Sequence, residues 1–376
     1  MIYIYNFRMK RVAIITYSRA YNYGSALQTY ALNRYLTQLG NKVNTIDYTT
    51  KEQQILYAIF EPIKGLMSFA RNIQSLIYYT SIKRHRGRFE SFLLEWVPMT
   101  QRIQIAEDFA RLNNQFDCFL CGSDQIWNAQ CDDFDSNYML SFVTDKSKCI
   151  SYAPSLGAGE RNEKTISALS QYVKGYKAVS TREESSAPII EKASNVAVET
   201  VLDPVFLLDP HDWDEVATDC PIKGDYILGY FIGDVAGMRE FAAQLSKETE
   251  YPVVVIYKSI RDIKYRFQTY YEAGPAEFIS LIKNARYIVT NSFHAVSFSI
   301  IYGVSFWAFV QSGSSDERIR SILRLVGLEN RIVADAKSWV DKQKGIDYEN
   351  INRRKLDDMI EKSKTFLKNN ICNEPL

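Results

Sequence analysis

The sequence predicts an α/β protein of two successive Rossmann-like domains, and three observations predict it. Short apolar, β-rich runs alternate with stretches of helical periodicity along most of the chain. Two Asp-Pro pairs, Asp203-Pro204 and Asp209-Pro210, interrupt that alternation, and beyond them it restarts. The 376 residues amount to about two and a half domains at roughly 150 residues each. The expected boundaries are 1–210, with a helical insertion near 52–100, then 211–345, then a C-terminal helix and tail over 346–376.

Val12–Tyr17 is a short apolar run bounded by a polar loop. Over Ser25–Leu39, Leu27, Tyr30, Ala31 and Tyr35 fall at helical spacing, and Gly40 stops the helix. Lys42–Tyr48 alternates as a strand does. Strand, helix and strand in that order make a βαβ unit, hence a parallel sheet. Further strands are expected at Phe116–Cys121, Lys148–Ala153, Ala178–Thr181 and Val198–Leu202, with helices near Asn162–Lys174 and Glu183–Ala193. In the second half, strands at Asp225–Ile232 and Tyr251–Tyr257 flank a helix over Val235–Glu248. Strands at Tyr287–Thr290 and Ser305–Val310 flank Phe293–Tyr302, and Glu317–Val326 and Ile351–Leu367 read as helices. Two halves of this kind are expected to face one cleft.

One segment breaks the pattern. Ile55–Ile82 is long, apolar-rich and helical in character, and Lys83-Arg84-His85-Arg86-Gly87-Arg88 follows it. It reads either as an inserted helical hairpin capped by a solvated basic run, or as an interfacial helix whose cations meet anionic lipid. The second reading makes 55–88 a peripheral membrane contact.

Composition narrows the function classes. Forty-five Lys and Arg against 44 Asp and Glu leave a net charge of +1, which argues against a nucleic-acid partner held by phosphate neutralisation. No apolar run approaches the ~20 residues a spanning helix requires. The three histidines, His85, His211 and His294, lie far apart, so no metal site is expected from spacing. Six cysteines make no disulfide framework. Cys118 and Cys121 sit three apart on an expected strand and so point to opposite faces, which favours buried thiols and a reducing cytoplasm. Met1–Arg8 lacks the core of an export signal, and translation from Met9 would make it dispensable.

In open α/β sheets, ligands bind beyond the carboxyl ends of the strands, and that rule selects four loops. The first holds Asn22, Tyr23, Gly24 and Ser25, where Gly24 admits close backbone approach and Ser25 is a candidate helix cap beside an anion. The second is Gly122-Ser123-Asp124-Gln125-Ile126-Trp127-Asn128, whose polar groups suit sugar hydroxyls and whose Trp127 suits a ring face. The third carries Arg182 at an expected helix start, a place where a cation needs an anionic partner. That partner is either Glu183 or Glu184, or a ligand phosphate or carboxylate. In the fourth, Ser292 and His294 leave a strand and enter a helix, with His294 either functional or a satisfied structural histidine.

At this point the motifs carry a resemblance. Asn22–Gln28, Gly122–Asn128, Ser151–Gly157, Ser180–Glu183, Val201–Pro204, Gly274–Phe278 and Thr290–His294 follow one another in order. Together they resemble the polysaccharide pyruvyl transferase family over roughly 11–330. The resemblance implies a glycosyltransferase-B-like fold with an N-terminal acceptor side and a C-terminal donor side. It implies transfer of pyruvate from phosphoenolpyruvate to two hydroxyls of a sugar, forming a cyclic ketal and releasing phosphate, with no cofactor. His294 matches the motif histidine, and Arg182 a phosphoenolpyruvate-binding arginine. Ala295 stands where the family commonly has Gly, so either the local turn or the approach of ligand is expected to differ.

The chemistry needs a proton for the enol methylene carbon and a base for the sugar hydroxyl. His294 is the candidate for either role or for phosphate binding, and Asp124 is the candidate base. Arg318 and Arg320 are further anion ligands unless they pair with Asp316 and Glu317; Glu277 either contacts a sugar hydroxyl or stabilises a helix dipole. The reading is a cytoplasmic enzyme modifying a surface-polysaccharide precursor, peripheral at the inner membrane face if its acceptor is lipid-linked. Two other readings stay open: a nucleotide-sugar glycosyltransferase, and a catalytically silent glycan-binding relative.

Overall fold

The computed structural model describes residues 9–157, 162–233, 235–256, 260–310, 317–333, 345–348 and 351–372. Met1–Arg8 and Asp316 lie outside the described residues. In chain order the elements begin β1 (Arg11–Ile15), α1 (Tyr23–Gln38), β2 (Lys42–Thr45), α2 (Lys51–Leu56), α3 (Leu66–Ile77), α4 (Tyr79–Trp96), α5 (Ala106–Gln115) and β3 (Cys118–Cys121). They continue with β4 (Cys149–Ser151), α6 (Glu163–Tyr172), β5 (Val179–Thr181), α7 (Ala187–Ser194), β6 (Val198–Thr200) and α8 (Pro210–Asp214). The next are β7 (Ile227–Tyr230), α9 (Met238–Thr249), β8 (Val253–Val255), β9 (Gln268–Thr269), α10 (Pro275–Lys283) and β10 (Tyr287–Thr290). Then come α11 (Phe293–Tyr302), β11 (Phe306–Phe309), α12 (Glu317–Val326), β12 (Ile332–Val333) and α13 (Arg353–Leu367).

The chain forms two compact units. The first comprises Met1–Glu61, Leu93–Leu208 and Asp358–Leu376; the second comprises Pro62–Phe92 and Asp209–Asp357. In the first, β2, β1, β3 and β4 lie side by side, all parallel. β5 and β6 form a parallel pair, joined to β4 by an Ile150–Ala178 bridge. In the second unit the order is β12, β11, β10, β7, β8, β9, again all parallel. Counted within that unit, this is the 3-2-1-4-5-6 order of a Rossmann sheet. Strands buried on both faces explain why the sequence reads as short continuous apolar runs. In the first unit one side packs Phe119, Cys121, Trp127, Tyr138 and Leu169 together; in the second, Val255, Val289, Trp307 and Phe309 meet Phe241 and Leu245 of α9.

Two expectations need correction. The helical character expected over Ile55–Ile82 is divided among separate helices: α2 ends at Leu56, Pro62 and Gly65 follow, and α3 and α4 are distinct. Proline lacks an amide donor and restricts its predecessor, which breaks such a run. The insertion also does not belong whole to the N-terminal half. Its 62–92 part packs into the second unit, where His85 Nδ1 lies 2.9 Å from the Ala273 carbonyl and Arg88 pairs with Glu277 at 3.1 Å. Likewise the C-terminal segment is no separate appendage. Ser363 Oγ accepts the Leu202 amide at 2.9 Å and Phe366 packs against Tyr152, both within the first unit.

Candidate functional site

All seven motifs leave or follow the carboxyl end of a parallel strand. The first-unit motifs follow β1, β3, β4, β5 and β6, and the second-unit motifs follow β9 and β10. In the first unit the strand order reverses between β1 and β3, and in the second between β7 and β10. These switch points are where open α/β sheets leave a crevice for ligand.

The first-unit switch point is built on α1. Its cap is Asn22, whose Oδ1 accepts the Ser25 amide at 3.3 Å, so the expectation that Ser25 caps the helix is corrected. Tyr23, Gly24 and Ser25 form the buried first turn, while Asn22 is exposed. Ser25 is thereby free to donate its hydroxyl to Asp124 Oδ2, at 2.6 Å. Asp124 adopts φ 73° and also accepts the Gln125 amide at 2.8 Å on Oδ1. Its charge is felt by the Tyr17 and Tyr57 phenols. Burial first, then the carboxylates of Asp124 and Asp133, push Tyr57 up to about 12 and Tyr17 higher still. Two neutral phenols, a serine hydroxyl and a half-buried carboxylate therefore share this corner.

The loop is held from below. Gln28 donates to Thr16 Oγ1 at 2.9 Å and accepts the Ser123 amide at 3.0 Å, while Thr16 Oγ1 donates to the Ser123 carbonyl at 3.1 Å. Gly122 is required: at φ 131°, a Cβ would lie 1.9 Å from the Tyr152 carbonyl oxygen. Ser123 is fully buried, its Oγ 2.9 Å from the Ala153 carbonyl and 3.2 Å from Asp203 Oδ2. It is therefore a loop anchor, not the sugar contact the sequence suggested. Trp127 is corrected as well. Its indole is wholly buried in the core cluster that holds Phe119, Tyr138 and Met139, so no ring face is open to a sugar. Gln125 stays half-buried beside Gly157.

Arg182 does not open a helix. α7 begins five residues later at Ala187, with Ser186 before it, so the dipole argument does not apply there. The guanidinium instead donates to Asp203 Oδ2 at 2.6 Å and to Glu183 Oε1 at 3.2 Å, with only 4% of its side chain exposed. Burial opposes its charge, but Glu183, Asp203 and Asp124 outweigh burial and raise its affinity for the proton. Of the two partners the sequence left open, protein carboxylates occupy this fork. Asp203, read from sequence as part of a boundary and of the Val201–Pro204 motif but given no role, is the hub that ties Arg182 to the Ser123 turn.

In the second unit, Asn291 bridges the switch point. Its side chain accepts the Ile232 amide at 2.8 Å and donates to the Ile232 carbonyl at 2.7 Å, joining the loops after β7 and β10. Ser292 caps α11, its Oγ accepting the Ala295 amide at 3.4 Å. His294 follows in the first turn, 8% exposed, with its ring edge-on to Phe293. Ala295 lies inside α11 and outside the positive-φ residues, so the expected difference in the turn is absent and glycine is not needed for conformation.

Glu277 accepts the Gly274 amide at 2.9 Å and pairs with Arg88 at 3.1 Å. These contacts put its carboxylate at the start of α10, where it complements the helix dipole. Arg318 is partly buried in the first turn of α12, and the neighbouring Glu317 lies 3.5 Å from Arg324. Among residues to which the sequence analysis gave no role, Tyr17 ends the first apolar run, and Asn291 lies in a motif. Tyr57 lies in the Ile55–Ile82 stretch and Arg88 in the basic run after it, and neither carried a site signal of its own.

The sequence model for polysaccharide pyruvyl transferase matches residues 22–313, well over half of the chain. No curated protein matched by sequence. A Listeria monocytogenes protein assigned as a UDP-N-acetylglucosamine 2-epimerase superposes with TM-score 0.51 at 9% identity, covering 98% of this chain and 92% of that one. The Methanocaldococcus jannaschii UDP-GlcNAc 2-epimerase gives TM-score 0.45 at 13% identity, covering 93% and 91%. The Streptomyces nogalater glycosyltransferase SnogD gives 0.40 at 10%, covering 96% and 95%. The first superposition agrees with the sheet orders above: the fold is α/β and glycosyltransferase-B-like. With every motif loop at a strand's carboxyl end and the family's sequence model running through all of them, the chain belongs to the polysaccharide pyruvyl transferase family and is a transferase.

Proposed function

We propose that this transferase moves pyruvate from phosphoenolpyruvate onto two hydroxyls of one sugar in a surface-polysaccharide precursor. The observation that carries the reading is the placement of all seven family motifs at the carboxyl ends of strands, the edge where such sheets take ligand. In the proposed reaction the enol methylene carbon takes up a proton and becomes a methyl group. The first hydroxyl adds to the resulting cationic carbon and loses its proton. The second hydroxyl then displaces phosphate at that carbon, closing the ketal, and its proton leaves to the base. Pyruvate, diol and phosphate are balanced, and neither an oxidant nor a reductant enters.

Roles are proposed within each unit. In the second, the positive end of α11, capped by Ser292, suits the donor's anionic groups, and His294 in its first turn delivers or accepts the proton. In the first, Asp124 is the base on a hydroxyl, held by Ser25 and the Gln125 amide. Arg182 acts at a distance, holding Asp203 and through it the Ser123 turn. Six cysteines without a disulfide support a reducing, cytoplasmic setting.

Calorimetric titration with phosphoenolpyruvate, with uridine diphosphate as comparison, tests the donor. Saturable phosphoenolpyruvate binding, followed by phosphate release on adding acceptor glycan, is the expected result. His294→Ala should keep donor binding within a few-fold and lower turnover by about 10²–10⁴. Binding of uridine diphosphate alone would replace this reading with nucleotide-sugar transfer.

A further inference from the structure

The inserted part of the second unit carries a helix with inverted polarity. In α3, Leu66, Phe69, Ala70, Ile73, Leu76 and Ile77 recur at i, i+3, i+4, i+7, i+10 and i+11 and so share one stripe. Ser68, Arg71, Asn72 and Ser75 share the opposite side at the same spacing. A surface helix of a globular protein turns its apolar stripe inward. Here Ser68 is 4% exposed and Asn72 and Ser75 are half-buried, whereas Leu66 is 87%, Ile77 69% and Leu76 66% exposed. Phe69 and Ile73 are also open, and Met67 widens the stripe. Contiguous exposed apolar surface of this kind marks a contact site.

The charge around it selects the occupant. From Pro62 to Phe89 the chain has six Lys or Arg and no Asp or Glu, in a protein whose net charge is +1. Arg84 and Arg88 pair with Glu272 and Glu277, and Lys64, Arg71 and Lys83 are exposed to solvent. A second copy docking the same face would bring these like charges together. The stripe itself is hydrocarbon and offers no directional bond. At about 1.5 Å per residue, α3's 12 residues reach roughly 18 Å, too short to cross a hydrocarbon core of roughly 30 Å. No described helix is long and apolar enough to cross a membrane.

We propose that α3 lies flat in the surface of a bilayer carrying anionic lipid, its leucine–phenylalanine–isoleucine stripe among the acyl chains and Lys64, Arg71 and Lys83 at the headgroups. This rests on the second unit alone and stands whether or not phosphoenolpyruvate is the donor. Co-sedimentation of the full chain with mixed phosphatidylcholine–phosphatidylglycerol vesicles, and with pure phosphatidylcholine vesicles, tests it. The protein should partition to the mixed vesicles, less to the neutral ones, and less at high salt. Replacing the three cations together (K64Q, R71Q, K83Q) should weaken partitioning about 100-fold, roughly fivefold for each Lys or Arg near an anionic surface. The combination L66S, F69S, I73S and I77S alters only exposed side chains and should abolish partitioning with an unchanged circular dichroism spectrum. Absence of partitioning by the unaltered protein overturns the proposal, as does partitioning that survives the four serines. Self-association removed by the serines, without vesicle binding, would give the face to a second copy and overturn it too.

Discussion

Asp124 and Arg182 show how far a residue's identity carries. The motif made Asp124 visible, and the chain puts it at positive φ with its carboxylate aimed at Ser25. What the sequence could not display is that Ser25, 99 residues away in sequence, gives up helix capping to Asn22 and holds Asp124 instead. Ser25→Ala should therefore leave stability within about 1 kcal/mol, the worth of one hydrogen bond, while lowering turnover; thermal unfolding and phosphate release on the same samples check it. Arg182 is the opposite case. Its expected role came from an expected helix start, but the helix begins at Ala187 and Asp203 meets the guanidinium from 21 residues on. Arg182→Ala leaves two buried carboxylates without their cation, so denaturant unfolding should show a loss of about 3–5 kcal/mol. A variant of unchanged stability and lost donor affinity would return Arg182 to the ligand.

At the scale of elements, strands were legible because a doubly covered parallel strand must be apolar throughout. Each expected strand has a counterpart; Tyr287–Thr290 matches β10 end for end, and the others are shorter at one end or both. Element placement was less legible, since it depends on contacts distant in sequence. The start of β1 is strapped to the start of β3 by such a contact. Asp117 accepts the Arg11 amide at 2.9 Å, Nε at 3.1 Å and Nη2 at 2.7 Å. The Arg11 guanidinium beside Asp117 holds that carboxyl down to about 2. A carboxylate depressed in the folded state stabilises above its unfolded value of about 3.9, and the contribution is lost as pH falls towards about 2. Asp117→Asn should therefore flatten the stability–pH curve in that window and leave its shape near neutrality unchanged, as urea titrations at a series of pH values would show. An unaltered slope would mean that the strap does not respond to protonation.

Across the whole molecule, alternation announced two α/β halves but not their strand orders, nor that 62–92 packs with the second unit and 358–376 with the first. Periodicity reports which face of an element is apolar and says nothing of which neighbour covers it. The cysteines follow the same division. The apolar strands that build the first sheet place Cys118, Cys121 and Cys149 inside it, and Cys372 is buried near the C-terminus. Burial pushes Cys118 and Cys149 up to about 12 and Cys121 higher. Cys131 and Cys220 are partly exposed, and Cys131 is also raised, by burial and then by Asp133 and Asp124. Because the thiolate is the reactive species, the folded protein should react with an aromatic disulfide reagent at Cys131 and Cys220 alone, with Cys131 slow. Unfolding should release all six thiols. Since Cys118, Cys121 and Cys149 lie on β3 and β4, their exposure reports opening of the first sheet, and their labelling rate should follow the stability of that unit under urea. Rapid native labelling of Cys118 or Cys149 would mean that the sheet opens well below the global transition.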